Sequence, residues 1–112
     1  MVTQIDGYYH AFGFNNDGKV DKSVEYTQTG KYRNVQGMKL ANVPNPENYL
    51  GKSFEELKAD LGEPHGLVAS GPYLPGYFTQ DAKLVYFEIS GSDIVSVTTI
   101  DILTKKSKWV YE

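Results

Sequence analysis

Acid–base chemistry in this chain would have to use a histidine, since His10 and His65 are the side chains whose ordinary pKa lies near neutrality. Neither belongs to a His-x-x-x-His or Glu-x-x-His arrangement, so the spacing predicts no zinc site. His65 directly follows the end of a predicted helix, and we interpret it as a residue that favours the helix C-terminus. His10 lies among aromatic residues of a predicted strand and is interpreted as a packing residue.

Serine and carboxylate chemistry is no better supported. Ser70 lies in Ala-Ser-Gly-Pro, which lacks the Gly-x-Ser-x-Gly turn of serine hydrolases. Glu55 and Glu56 are neighbours on a predicted helix, so their side chains diverge. Glu88 and Asp101 lie on different predicted strands and could face one another, but a solvated sheet face explains them equally well. Because the chain has no cysteine, thiolate sites and disulfides are excluded. We therefore predict no catalytic residue, no metal and no cofactor.

The aromatic residues have no role in the chemistries considered above, and the segment Gly71–Phe78 carries three of them together with two prolines. A loop that prolines stiffen displays its side chains at little entropic cost, as protein interfaces require. An open alternative is that these side chains fold back over the core. The predicted partner-binding residues are Tyr73, Leu74, Tyr77, Phe78, Trp109 and Tyr111.

The composition is typical of one soluble globular domain. The chain has 112 residues, of which 40% are apolar and 22% charged, with a net charge of −3. This mild acidity argues against nucleic-acid binding, which needs clustered basic residues. The one basic cluster is Lys105, Lys106 and Lys108, which we interpret as solvated, and the one arginine is Arg33.

No stretch of about 18 apolar residues is present, so the sequence predicts no membrane span. The first residues lack the charged start and apolar middle of a signal peptide. The expectation is a cytoplasmic protein or a mature exported fragment, and the sequence does not choose between them.

One short helix is predicted between Gly51 and Pro64. Ser53 and Glu56 form the pattern of a capping box, and Gly62 suits the residue that ends a helix. An apolar stripe faces one side of this helix and must dock on strands, because so short a helix is unstable alone. The stripe consists of Phe54, Leu57 and Leu61.

Alternating patterns predict strands on both sides of the helix. Before it come Tyr8–Phe14, Val20–Thr27 and a weaker strand within Lys31–Leu40, and after it come Lys83–Ile89, Ile94–Leu103 and Trp109–Tyr111. We predict an α+β fold in a single domain 1–112, with an antiparallel meander and one short α-helix packed on it. An N-terminal β-meander (1–41) precedes a Pro-containing crossover (42–50) and the helix-plus-sheet part (51–112).

The order of glycine, capped helix, Leu-Gly-x-Pro and antiparallel meander resembles two related groups of proteins. They are the small lipoproteins of the outer-membrane assembly machinery and the β-lactamase inhibitor proteins. The resemblance rests on Gly51, Phe54, Leu57, Leu61, Gly62 and Pro64 and on the strands from Tyr77 to Leu103. It implies a helix on an antiparallel sheet and, for the inhibitors, a sheet face that binds a target protein through aromatic residues. The lipidated cysteine of the lipoproteins is absent here.

Three functions remain as hypotheses. The first is a non-catalytic protein-binding module of inhibitor, immunity or assembly-factor type, which uses the aromatic residues of a sheet face or of segment 71–78. The second is a small-ligand site in a cleft between sheet and helix, with tyrosine hydroxyls and Arg33 as polar contacts. The third is an enzyme centred on His65. The expected partner is another protein, and strand edges such as Trp109–Tyr111 could also pair two copies as a homodimer.

Overall fold

The chain forms two antiparallel sheets and one short α-helix. A computed structural model describes residues 2–14, 17–67 and 74–111. The first sheet has the order β1-β2-β3-β4 and the second has the order β5-β6-β7-β8-β9. A 3₁₀-helix (Pro46–Tyr49) and helix α1 (Phe54–Leu61) connect them. The strands are β1 (Val2–Ile5), β2 (Tyr8–Phe14), β3 (Val20–Tyr26), β4 (Tyr32–Gln36), β5 (Gly66–Leu67), β6 (Pro75–Phe78), β7 (Lys83–Ser90), β8 (Asp93–Asp101) and β9 (Ser107–Tyr111).

The α+β class predicted from the sequence is confirmed, and the N-terminal meander is larger than the two or three strands expected. Strand β1 pairs with β2 through a tight turn at Asp6 and Gly7, whose φ angles are 53° and 80°. Two consecutive positive φ angles are typical of a type I′ hairpin turn, for which Asp-Gly is a favoured sequence. The sequence Asn15-Asn-Asp-Gly18, which predicts a hairpin turn between β2 and β3, lies partly outside the described residues.

The second sheet agrees with the sequence at β7, β8 and β9 and differs at β6. Pro75 and Gly76, which were predicted to lie in a loop, begin a strand that pairs with β5 and β7. Proline is tolerated as the first residue of a strand because a missing N–H there breaks no pairing. The predicted loop is therefore wrong from Pro75 onward.

Helix α1 begins and ends where the sequence predicts. Ser53 Oγ accepts from the Glu56 N–H at 3.1 Å, and Glu56 Oε2 accepts from the Ser53 N–H at 3.1 Å. Gly62 follows the last helical residue at a φ of 85°. Leu57 is fully buried against the second sheet, with Phe54 and Leu61 packed around the same cluster.

Backbone hydrogen bonds fix the start of α1 to the second sheet. The Gly51 N–H donates to Ile94 O at 2.9 Å, and the Ile94 N–H donates to Lys52 O at 2.8 Å. The Phe54 N–H donates to Ser92 O at 2.9 Å. The segment before the helix thus continues the edge of the sheet beyond the end of β9.

Two apolar clusters lie on opposite faces of the second sheet. Cluster A lies between the two sheets and contains Ala11, Val24, Tyr26, Leu40, Phe78, Ala82 and Ile102. Cluster B lies under α1 and contains Ala41, Leu57, Tyr77, Val85, Phe87, Ile94 and Val97. Because successive strand residues point to opposite faces, Tyr77 and Phe78 in β6 enter different clusters.

The two sheets also contact each other through polar and backbone groups. The buried Tyr26 hydroxyl donates to Thr79 O at 2.6 Å. The Ala41 N–H donates to Phe78 O at 2.9 Å, so the crossover pairs with the end of β6. A Cβ placed on Gly13 would lie 2.2 Å from His65 O, which shows how closely β2 approaches the residue before β5.

Candidate functional site

Two of the six predicted partner-binding residues are buried. Tyr77 is 0% exposed and Phe78 is 4% exposed. They belong to β6, which has a neighbouring strand on each side and an apolar cluster on each face. The Tyr77 hydroxyl donates to Gly62 O at 2.8 Å and so joins β6 to the end of α1. The prediction that a loop displays these two rings is wrong, because the strand packs them into the core.

The other four residues fall into two groups. Tyr73 lies outside the described residues, and Leu74, directly before β6, is half-buried. Trp109 and Tyr111 are 59% and 65% exposed. Their rings stack on each other, with centroids 4.6 Å apart and an angle of 27° between the planes.

Strand register shows which surface Trp109 and Tyr111 share. Trp109 pairs with Thr98, which pairs with Tyr86, so these three side chains form a row across the sheet. The row lies on the face opposite α1, since the alternating neighbour Val110 packs against cluster B instead. We call this surface the open sheet face and define it by Tyr86, Thr98, Trp109 and Tyr111.

Among the described residues, the first sheet packs over one end of the same face and not over the other. Leu84 and Phe78, at the covered end, pack in cluster A. Tyr86 is half-buried at the boundary, and the exposed Glu88 lies beyond it. Glu88, Ser96 and Tyr111 form the next row across the sheet. Within this row, Ser96 Oγ donates to Glu88 Oε1 at 2.8 Å and so fixes the carboxylate.

Tyr86 is the residue of this surface that sequence reasoning missed. The sequence of Lys83–Ile89 is apolar on both faces, which is typical of a central strand but does not say what covers each face. Tyr86, two positions after Leu84, was recognisable in the sequence as an aromatic residue on the same face of the strand. Whether it joins Trp109 in one surface depends on the register between three strands, which the sequence alone does not determine.

Three lysines lie just before and at the start of β9. The side chains of Lys105, Lys106 and Lys108 form no ion pair with any residue that the structure describes. The nearby Asp101 carboxylate accepts from the Leu103 and Thr104 N–H groups instead. Of the two interpretations left open for Glu88 and Asp101, the one in which they face each other does not hold, because they pair with Ser96 and Lys83 respectively.

His65 has a structural role that differs from the helix-terminal one predicted. Its ring is buried and its Nδ1 accepts from the Phe78 N–H at 2.8 Å. Nε2 therefore carries the proton and donates to Lys39 O at 2.9 Å. Burial lowers the pKa of the imidazole, which keeps it neutral. Because both ring nitrogens are engaged, His65 is not free to act as an acid or base.

Arg33 also lies elsewhere than the small-ligand hypothesis requires. Its guanidinium stacks 3.5 Å from the centroid of the Tyr8 ring, and its Nε donates to Glu25 Oε2 at 2.8 Å. Asn34 donates to the same oxygen at 2.8 Å, and these hydrogen bonds lower the pKa of Glu25. His10 Nδ1 lies 3.5 Å from the other oxygen. This cluster ties β2, β3 and β4 together on the first sheet, away from α1.

In the part of the chain that the structure describes, three surface grooves lie beside the crossover. One groove of about 420 Å³ is bordered by Val43–Glu47 and by charged residues of both signs, which are Asp81, Lys83, Asp101, Lys106 and Lys108. Two smaller ones of about 370 and 360 Å³ share Asn42, Tyr49 and Asp60. Burial raises the pKa of Tyr49 to about 12, and its hydroxyl donates to the Asp60 carboxylate.

Comparisons add no functional assignment. No protein family, curated protein or solved structure matches the chain, so the resemblance to the inhibitors and assembly lipoproteins stays a prediction. Within the described ranges, no three His, Asp or Glu side chains are placed to hold a metal ion. The same part of the chain contains no helix long and apolar enough to cross a membrane.

Proposed function

We propose that this protein is a non-catalytic protein-binding module of inhibitor, immunity or assembly-factor type, and that the open sheet face is its contact surface. The observation that carries the proposal is the stacked pair Trp109 and Tyr111, both more than half exposed. Large aromatic side chains are usually buried in part, and interfaces concentrate their binding energy in Trp and Tyr.

Preorganisation supports the same conclusion. The two rings already contact each other on a strand that is hydrogen-bonded to β8. A partner would therefore meet a surface whose rotamers are restricted, which lowers the entropic cost of association. Tyr86 and Thr98 extend this surface inward, while the exposed Glu88, whose carboxylate accepts from the buried Ser96, provides a polar border.

The test is the double variant Trp109→Ala and Tyr111→Ala, compared with Tyr32→Ala. Tyr32 is 49% exposed on β4 of the other sheet, so it controls for the loss of an exposed aromatic side chain. Proteins captured from extracts of the source organism would be identified, and their affinities then measured with purified components. We expect the double variant to lose about 2 kcal/mol or more of binding free energy, with circular dichroism unchanged.

Equal affinities for wild type and the double variant would contradict the proposal. The substitution Tyr77→Ala is unsuitable for this purpose, since Tyr77 is fully buried and its loss would destabilise the core.

Small-ligand binding is the second candidate, and the groove of about 420 Å³ beside the crossover favours it. That volume falls in the usual range for ligand pockets. Its border carries Lys83, Lys106 and Lys108, which suit an anionic group, as well as the carboxylates of Glu47, Asp81 and Asp101, of which Asp81 pairs with Lys83. A thermal upshift with small carboxylates or phosphates that Lys83→Ala abolishes, and that Trp109→Ala leaves intact, would select this candidate over the first.

A further inference from the structure

The outer edge of β9 is available for strand pairing. Among the described residues, β9 is the last strand of its sheet, and no described strand is hydrogen-bonded to its outer edge. The Asp101 N–H donates to Lys106 O at 2.8 Å, which fixes the direction of the backbone at the start of the strand. Since backbone groups alternate in direction along a strand, Lys108 and Val110 turn towards β8. The residues whose N–H and C=O groups turn outward are Ser107, Trp109 and Tyr111.

Charge and aromatic surface flank this edge on opposite faces of the sheet. Lys108 lies on the face of α1, where it borders the groove together with Lys106. Trp109 and Tyr111 lie on the open sheet face. A strand added beside β9 would alternate between the two faces, so one half of its side chains would meet lysines and the other half aromatic rings.

The lysines at the start of β9 favour some kinds of added strand over others. Lysine on an edge strand disfavours pairing with neutral or basic strands, and therefore with β9 of a second copy. An acidic strand instead neutralises Lys105, Lys106 and Lys108, which have no ion pair among the described residues. Opposite charges on neighbouring strands stabilise the pairing.

We propose that β9 binds an extended, acidic segment of another protein as a sixth strand of the second sheet. Acidic side chains of that segment contact Lys106 and Lys108, and its apolar or aromatic side chains contact Trp109 and Tyr111. This inference rests on the proposed function, because it names the kind of partner and the mode in which the open sheet face and its edge would be used.

The experiment selects binders from a displayed library of random 12-residue peptides on the purified chain. We expect enriched peptides in which Asp or Glu alternates with apolar or aromatic residues. In 15N-labelled protein, the bound peptide should protect the amides of Ser107, Trp109 and Tyr111 from hydrogen exchange. An enriched peptide would then be titrated against the variants by calorimetry.

Two variants distinguish binding by strand addition along β9 from binding through the aromatic surface alone. Ser107→Pro removes one outward N–H and keeps the bonds to β8, while Lys106→Glu with Lys108→Glu reverses the charge. Each should weaken binding by about tenfold or more. The matched control is Lys31→Glu, which changes an exposed lysine beside β4 of the other sheet. It should change the affinity for the peptide by less than about twofold. Circular dichroism confirms that each variant is folded.

The possible outcomes are distinct. Peptides that need Trp109 and Tyr111 but tolerate Ser107→Pro and the charge reversal would overturn strand addition and leave the proposed function standing. Peptides that bind independently of the two rings would count against both. Failure to enrich any acidic peptide would overturn the inference, as would a dimer of the chain, seen by sedimentation, that Ser107→Pro dissociates.

Discussion

His65 joins two segments that lie far apart in the sequence. Its imidazole receives a hydrogen bond from β6 and gives one to Lys39, just before the crossover. These bonds require the neutral ring with its proton on Nε2, because a protonated Nδ1 could no longer accept from the Phe78 N–H. Burial favours the same neutral form and lowers the pKa of His65.

Stability should therefore fall as the pH is lowered through the range in which histidine titrates. Because the pKa of His65 is lower in the folded than in the unfolded chain, the unfolded chain binds more protons across the interval between the two values. The contribution of His65 is fully present above the unfolded pKa of about 6.5 and decreases below it. Urea denaturation of wild type and of His65→Asn at pH 7.5 and at lower pH would measure this.

The difference in unfolding free energy between wild type and His65→Asn should shrink as the pH falls. Carboxylates such as Glu25 and Asp81, whose pKa values are also lowered, act at lower pH and are common to both proteins. An NMR titration that places the pKa of His65 above the ordinary histidine value would contradict this assignment.

Helix α1 depends on contacts at both of its ends. The capping box at Ser53 satisfies two N–H groups that the helix leaves unpaired, and the hydrogen bonds from Gly51 and Phe54 fix the same end to β8. At the other end, the Tyr77 hydroxyl donates to Gly62 O. An eight-residue helix is too short to be stable alone, so these tertiary contacts determine its stability.

Ser53→Ala should lower the unfolding free energy by about 1 kcal/mol, because the Glu56 N–H would lose its acceptor. Urea denaturation followed by circular dichroism measures the change, and Ser92→Ala in the exposed turn before β8 is the control. Binding through the open sheet face should be unaffected, since Ser53 lies beyond the end of β9. An unchanged midpoint for Ser53→Ala would show that the cap contributes no stability.

At the scale of the whole molecule, the two sheets are joined by shared apolar packing and by close backbone contact. Cluster A takes residues from both sheets. The Tyr26 hydroxyl crosses from β3 to Thr79, and Gly13 in β2 touches the carbonyl group of His65. Because these contacts lie within one interface, we expect the two sheets to unfold together.

Gly13→Ala tests this coupling. The added methyl group would collide with His65 O, so the sheets must move apart, at a cost of about 1–3 kcal/mol. Hydrogen exchange would measure amide protection in β3 and in β7 before and after the substitution. We expect protection to fall by a similar factor in both strands. A loss confined to β3 would contradict cooperative unfolding.

Local patterns were sufficient to predict most elements. The capping box, the alternation in β3 and the apolar runs of β7 and β8 each depend on a few neighbouring residues. The structure confirms the helix and the strands that these patterns predict. Strand β1 was missed although Asp6-Gly7 is a hairpin signal. Strand β6 was missed because Pro75 and Gly76 indicate a loop, and only pairing with β5 and β7 makes a strand there.

The candidate site was less predictable than the fold. Trp109 and Tyr111 were identified from residue type alone, whereas their relation to Tyr86 depends on register across three strands. The burial of Tyr77 and Phe78 depends on which clusters lie above and below β6. Both properties arise from contacts between distant segments, on which local propensity carries no information.

The opposite orientations of Tyr77 and Phe78 limit how the gene for this protein can change. Adding or deleting one codon between Pro75 and Thr79 would exchange the two rings, so that a phenol would enter the site now filled by a benzyl side chain, and the reverse. Point substitutions that preserve side-chain volume should destabilise the protein less at these positions. Natural length variants of this segment should therefore differ from one another by pairs of residues.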